Sequence, residues 1–307
     1  MQTRPSLIAV FLCVTSLPAI STEELNPALV DDSQHSPENS SDTAREVVKI
    51  IITGTPFERD PDLISKAVTV ITREEIAARN ARTTLDLLEQ VPGVSLSRAG
   101  GIEGQVTMRG FNSNDARTLL LIDGDRFRGR TGLEYTLLDP NQIERIEVIR
   151  GPASSLYGPD ALAGVINIIT RRATGDIEGP FRLTSRLRAL EYSSVNSLYG
   201  GRVELEGLGN KMDLLLGVNS RTADDYASPQ GKVPNSDFET LSTDLRLGYT
   251  PIPGHRFELT TKYAQVEAGR AGGISGAPGA PFVRRREDPL QEQFIKLSYA
   301  GNNPEIG

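Results

Sequence analysis

Residues 144–172 read ERIEVIRGPASSLYGPDALAGVINIITRR, and the fold is decided here. In 144–150, Ile146 and Val148 alternate with Arg145 and Glu147, the period of a strand with one face buried and one in water. The run 165–170 is apolar on both faces, as a strand covered on both sides must be. Between them Pro152 is placed to open a short helical turn, Gly158 to close it in the left-handed conformation, and Pro159 to forbid its continuation. The two strands are thus predicted to be joined by a compact, stiff connection.

Upstream the signals are short and closely spaced. Residues 67–71 form a predicted strand, after which Thr72 and Glu75 make a capping box opening a helix over 73–80. Thr83 and Asp86 repeat the device for 84–90, which Pro92 and Gly93 end before a strand at 94–97. Two further strands, 105–109 and 118–122, are expected to run antiparallel as a hairpin across 110–115, and Asp123-Gly124 is a strong turn signal. Asp139 is placed to cap a helical turn with Pro140 at its first position. Residues 47–175 therefore read as one α+β domain, a mixed sheet with short helices.

Downstream the texture changes. Leu183 and Leu187 alternate with Arg182, Arg186 and Arg188; Val203 and Leu205 with Arg202, Glu204 and Glu206; Leu214, Leu216 and Val218 with Asp213 and Asn219. The alternation continues through Leu245, Leu247 and Tyr249, through Phe257, Leu259 and Tyr263, and through Ile295, Leu297 and Tyr299, which makes six strands within 176–307. The connections 207–210 and 251–255 are tight, whereas 222–237 and 267–290 are long and polar. Short turns at one end and long loops at the other are the habit of an antiparallel transmembrane β-barrel.

The N-terminal residues carry an address. In 1–21, Arg4 precedes an apolar core over 7–15 and the small-residue site Ala19-Ile20-Ser21, which is a secretory signal peptide. Residues 22–46 hold seven acidic residues against one arginine and no apolar period, the composition of a disordered, solvated linker. The β-prone run 47–55, VVKIIITGT, offers unpaired backbone to any added strand. It reads equally as the first strand of the domain that follows.

Composition excludes several classes. A net charge of −7 with no clustered basic face argues against nucleic acid. The two histidines, His35 and His255, are far apart and the one cysteine, Cys13, lies in the leader, so no metal site and no cofactor is expected. Asp123, Asp125 and Glu134 have part of a calcium-loop spacing, but Phe127 and Arg128 stand where a ligand and a glycine are needed. The run 151–158 lacks the lysine of a phosphate loop, and no nucleophile elbow or catalytic pair is present, so the chain is not read as an enzyme. Tryptophan is absent, leaving eight Tyr and nine Phe for any interfacial girdle.

The order IRGP, Tyr-Gly, Ala-Leu-Ala-Gly, VINIIT in 144–172 resembles the end of the plug domain of TonB-dependent outer-membrane receptors, and LDLLEQVPGVSL, RGF and LLLIDG resemble other plug motifs. The resemblance implies a plug at 47–175 inside a barrel that begins at 176, in the outer membrane of a Gram-negative bacterium. It implies TonB-driven uptake of a scarce ligand such as a ferric siderophore, haem or cobalamin. Val48, Lys49, Ile50, Ile51, Ile52 and Thr53 are similar to the box that TonB captures by strand addition. Arg109 and Arg150 match plug arginines expected to face acidic groups on the barrel wall. Arg126, Phe127, Arg128, Arg130 and Tyr135, in a loop expected at an outward apex, combine guanidinium and aromatic groups suited to an anionic or aromatic ligand. Family barrels have twenty-two strands, so the six here point to a fragment of a protein of roughly 630 residues at about twenty residues per strand. The rival reading is a secreted or periplasmic plug-like binding module, or a truncated receptor that does not transport.

Overall fold

The computed structural model describes residues 67–79, 81–98, 102–112, 117–127, 135–158, 160–229, 231–270 and 285–301. The signal peptide, the acidic linker, the run 47–55, Arg128 and Arg130 lie outside the described residues.

The first strand, β1 (Ala67–Ile71), leads into α1 (Arg73–Arg79) and α2 (Thr84–Leu88). Both capping boxes form: Glu75 N donates to Thr72 Oγ1 and Thr72 N to Glu75 Oε2, while Thr83 and Asp86 exchange the same pair of bonds. Three short strands follow, β2 (Val94–Arg98), β3 (Gly104–Met108) and β4 (Phe111–Asn112), forming a sheet of their own in the order β2-β3-β4. Next come β5 (Thr118–Ile122), β6 (Asp125–Phe127), a 3₁₀ turn at Pro140–Gln142, β7 (Ile143–Arg150), α3 (Ser154–Tyr157) and β8 (Gly164–Thr170). These strands and β1 make a five-stranded sheet, β1-β7-β8-β5-β6, in which β5 and β8 are parallel and the other pairs antiparallel.

Three expectations are corrected. The strands near 105–109 and 118–122 do not form a hairpin, because β3 pairs with β2 and β4 whereas β5 pairs with β8 and β6 in another sheet. A largely apolar strand such as β5, TLLLI, needs cover on both faces, and in the five-stranded sheet Leu120 packs into the cluster of Leu85, Leu87 and Leu88 while Leu119 and Leu121 pack with Ala153 and Ala161. Strand β7 is not half-solvated either: on its second face Ile149 packs with Leu119, Leu121 and Val165, and Glu147 on that face is fully buried. Asn167, its register partner on β8, donates from Nδ2 to Glu147 Oε2 at 3.1 Å, and Arg145 Nε donates to Oε1 at 2.9 Å. The opposite face joins Ile146, Val148, Ile166 and Ile168 to Leu85, Leu87 and Leu88 of α2, each buried side chain contributing about 1.5–3 kcal/mol. Gly158 ends α3 at φ 83°, ψ −173°, an extended positive-φ conformation open to glycine rather than the left-handed helical one.

The six alternating segments become β9 (Arg182–Ser193), β10 (Leu198–Gly209), β11 (Met212–Ala223), β14 (Phe238–Ile252), β15 (His255–Arg270) and β16 (Arg285–Gly301). They form one antiparallel sheet in chain order. The long connection after β11 holds a small hairpin that sequence periodicity missed, β12 (Ala227–Ser228) with β13 (Gly231–Lys232). Asn210 and Lys211, both at positive φ, make the tight β10–β11 turn. Tyr199 pairs with Tyr192 near the long-loop end, and Gly209 lies in register, through Met212, with Tyr249, Phe257 and Tyr299 at the short-turn end. Ten steps of about 3.3 Å at a tilt near 40° span roughly 25 Å, the height of a barrel's apolar band. The chain thus places aromatic residues at both edges of that band without tryptophan.

Candidate functional site: the seat of the N-terminal domain on the strand wall

The two faces of the six-stranded sheet differ because each strand has period two. Leu183, Leu187, Leu190, Val218, Ile295 and Leu297 are exposed on one face, while Arg202, Glu204, Asp213, Asn219, Arg221 and Arg246 are buried on the other. What buries the charged face is the N-terminal domain. Asp123, in the tight β5–β6 turn at φ 51°, is the centre of the contact. Its Oδ1 accepts from Thr170 N at 2.8 Å, and its Oδ2 accepts from Thr170 Oγ1 at 2.7 Å, Arg246 Nη2 at 2.8 Å and Lys262 Nζ at 2.6 Å. Burial alone would raise the Asp123 carboxyl, but Lys262 and Arg246 outweigh it and hold the pKa down at about 2.

Around this hub the wall and the domain exchange charge in both directions. Arg171, just past β8, pairs with Glu204 and, at 3.4 Å, with Glu206 on β10. Gln142 Nε2 donates to Ser242 Oγ at 3.0 Å and Asp244 Oδ1 at 2.9 Å, and Asp244 is also gripped by both terminal nitrogens of the fully buried Arg202. That arginine crosses β11 at Gly217, where any Cβ would stand on its guanidinium. Lys296 Nζ donates to Asp125 Oδ2 at 2.6 Å, and Arg221 Nη1 to the Arg82 carbonyl at 2.5 Å. Buried ion pairs of this kind add little net stability, since desolvation offsets attraction, but they fix one geometry and make removal of a single partner costly.

The residues singled out in the sequence are distributed differently. Arg126 pairs with Asp160 at 2.7 Å and donates to the Tyr157 carbonyl, within the domain. Phe127 is half-buried between the domain core and the wall cluster containing Phe238 and Val266. Tyr135, expected in a ligand-facing loop, has its ring in the core at 2% exposure, because the chain re-enters the domain there ahead of Leu137 and Leu138. Arg150 donates to the Pro92 carbonyl at 2.9 Å and to Thr69 Oγ1 at 3.0 Å, while the exposed Arg109 lays its guanidinium over Gly151. These two arginines therefore staple turns of the domain to one another. Among the described residues, Arg171 and Arg172, rather than Arg109 or Arg150, are the domain's arginines that meet wall carboxylates, Arg172 lying 4.0 Å from Glu258. Sequence reasoning passed over Asp123, Arg171, Arg202, Asp244, Arg246 and Lys262. Their signal was a run of charges at period two on strands whose other face is apolar, but period says nothing of which charge meets which.

Residues 61–165 match the family described as TonB-dependent Receptor Plug Domain. The chain is 36% identical over 176 residues, 53% of its length and 29% of the relative's, to the vitamin B12 transporter BtuB of Vibrio vulnificus (strain CMCP6). It is 37% identical over 285 residues, 87% of its length and 42% of the relative's, to the iron-regulated outer membrane virulence protein of Vibrio cholerae (classical Ogawa strain O395). The chain spans less than half the length of either. In fold it is similar to the copper transporter OprC, with a TM-score of 0.63 and 22% identity over 77% of this chain and 34% of that one.

Proposed function

We propose that this chain, which belongs to the TonB-dependent receptors by the plug it carries, is the gated part of an outer-membrane active transporter. The observation that carries the proposal is the seat: a plug held by buried, oppositely charged side chains against the inner face of strands whose outer face is apolar. Such a seat is specific yet made of bonds that water can replace, so pulling the plug exchanges ion pairs for hydration rather than tearing an apolar core. The run Val48 to Thr53 is the handle, added as a strand to the C-terminal domain of TonB, which is powered from the inner membrane. The matched relatives are named as a vitamin B12 transporter and an iron-regulated protein, which supports a scarce nutrient of the cobalamin, haem or ferric-siderophore kind as cargo. Arg126, Phe127, Arg128 and Arg130 remain the proposed ligand contacts, and carboxylates of the inner barrel wall remain the proposed further partners of Arg109 and Arg150, the buried Nε of Arg150 having no hydrogen bond among the described residues. The work is binding and conformational change, with no catalytic step.

The test is uptake by the full-length receptor in a strain lacking its own receptors, supplied in turn with labelled cobalamin, a ferric siderophore and haem, with and without TonB. Accumulation of one of them that requires TonB supports transport. Binding without TonB-dependent accumulation would support the rival reading, a module that captures ligand without moving it.

A further inference from the structure

At the long-loop end of the seat, above the Asp123 hub, the plug and the wall enclose a cavity with about 20 Å³ open to the centres of water molecules, lined by Asp139, Asn219, Arg221, Leu137, Leu138 and Phe238. Three of these are polar, and all three are more than nine-tenths buried: Asp139 at 5% exposure, Asn219 at 2% and Arg221 at 6%. Asp139 Oδ2, Asn219 Oδ1 and both Nε and Nη2 of Arg221 make no hydrogen bond with any described residue, and of these Nη2 has the Glu191 carboxylate 2.8 Å away as an ion-pair partner. Arg221 Nη1 stands 3.7 Å from Asp139 Oδ2, beyond direct hydrogen-bond range. Native proteins do not leave buried polar atoms idle, and a polar contact just too long to be direct is where a bridging water belongs.

We propose that a single internal water is a structural part of the seat at this point, donating to Asp139 Oδ2 and Asn219 Oδ1 and accepting from Arg221 Nε. Two donors and one acceptor match what water offers, and three bonds are typical of a buried water. The volume fits one molecule, since about 10–15 Å³ by this measure holds one, and it excludes a hydrated ion or an organic ligand. Arg221 is then a positioning residue. It holds the plug directly through the Arg82 carbonyl, it pairs with Glu191 at 2.8 Å along the wall, and it reaches Asp139, the cap of the 3₁₀ turn, through water. The proposal rests on the plug–wall geometry and stands whether or not the receptor transports.

The experiment is hydroxyl-radical footprinting by brief X-ray exposure of the full-length receptor in outer-membrane vesicles, because a bound internal water generates radicals in place. Leu137 and Leu138 are expected to be modified several-fold faster than Leu87 and Leu88, which are buried in the plug core away from the cavity. Asn219→Leu removes one acceptor and fills the space, and should bring Leu137 and Leu138 down to the core rate. Equal rates in the unaltered protein, or rates unmoved by Asn219→Leu in a receptor that still retains its plug, would overturn the proposal. If that variant does not assemble, a high-resolution crystal structure of the unaltered receptor decides: an ordered water within hydrogen-bond distance of all three atoms upholds the proposal, and a dry cavity or direct contacts overturn it.

Discussion

Asp123 shows how one residue turns a local habit into a tertiary commitment. Asp-Gly is chosen for the backbone of a tight turn, and the same turn aims the carboxylate at Thr170, Arg246 and Lys262. Its folded pKa of about 2 lies below the ordinary value of 3.8, so the charged form is the stabilised one. The stabilisation is present in full above about pH 4 and is lost as pH falls through 2, an effect on the order of 2 kcal/mol. Hydrogen exchange of the Gly124 and Thr170 amides in the full-length receptor should therefore report constant protection down to about pH 4 and a loss below it. Asp123→Asn should lower that protection at neutral pH, leave Lys262 and Arg246 without their anion, and cost about 2–3 kcal/mol of plug retention against urea. A variant as resistant as the parent would show that the hub carries no weight. The turn itself was legible from Asp-Gly alone. Its wall partners, Arg246 and Lys262, more than a hundred residues away in sequence, were not, because alternation assigns a side chain to a face and leaves its neighbour across the interface unnamed.

At the scale of elements, capping and periodicity located nearly everything that is local. Both capping boxes, the Pro140 turn and the six wall strands follow from side chains within a few positions of one another, so the sequence carries them openly. Pairing between distant strands is different, and the expected hairpin of 105–109 with 118–122 failed on it: β3 pairs with its sequence neighbours β2 and β4, whereas β5 runs parallel to β8, which is remote in sequence. The glycine of the Ala-Leu-Ala-Gly step makes the same point from the other side. Its presence marked the motif, but its cause emerges only in three dimensions, where a Cβ on Gly164 would collide with the Ile149 carbonyl and the Met108 sulfur. Gly164→Ala must push a main-chain atom aside, and a loss of about 1–3 kcal/mol from the plug is expected, with faster exchange across the β7–β8 ladder. Unchanged exchange would mean that the two sheets can slide apart freely. The wall is testable by charge. Ile295 faces outward near the middle of the apolar band, so Ile295→Arg should cost about 2–4 kcal/mol when the full-length receptor is refolded into lipid vesicles, whereas a cost near zero would place that face in water.

For the whole molecule, the proposed function requires that a plug seated by charge be pulled by its N-terminal run and leave its seat for cargo to pass. Ligand identity stayed out of reach of the sequence because charge and aromaticity are common to the loops that bind quite different nutrients, and the loop carrying Arg128 and Arg130 lies outside the described residues. The movement of the plug can be tested without knowing more of the ligand than that one is taken up. Asp125 and Lys296 join plug and wall at 2.6 Å near the hub, so Asp125→Cys with Lys296→Cys, in a full-length receptor whose other cysteines have been replaced, can be bridged by a cleavable bismaleimide. The decisive measurement is TonB-dependent uptake by that full-length variant before bridging, after bridging and after cleavage of the bridge. The account predicts that bridging abolishes uptake, leaves ligand binding at the cell surface intact, and is reversed by cleavage. Uptake at the unbridged rate while plug and wall remain covalently joined would contradict it.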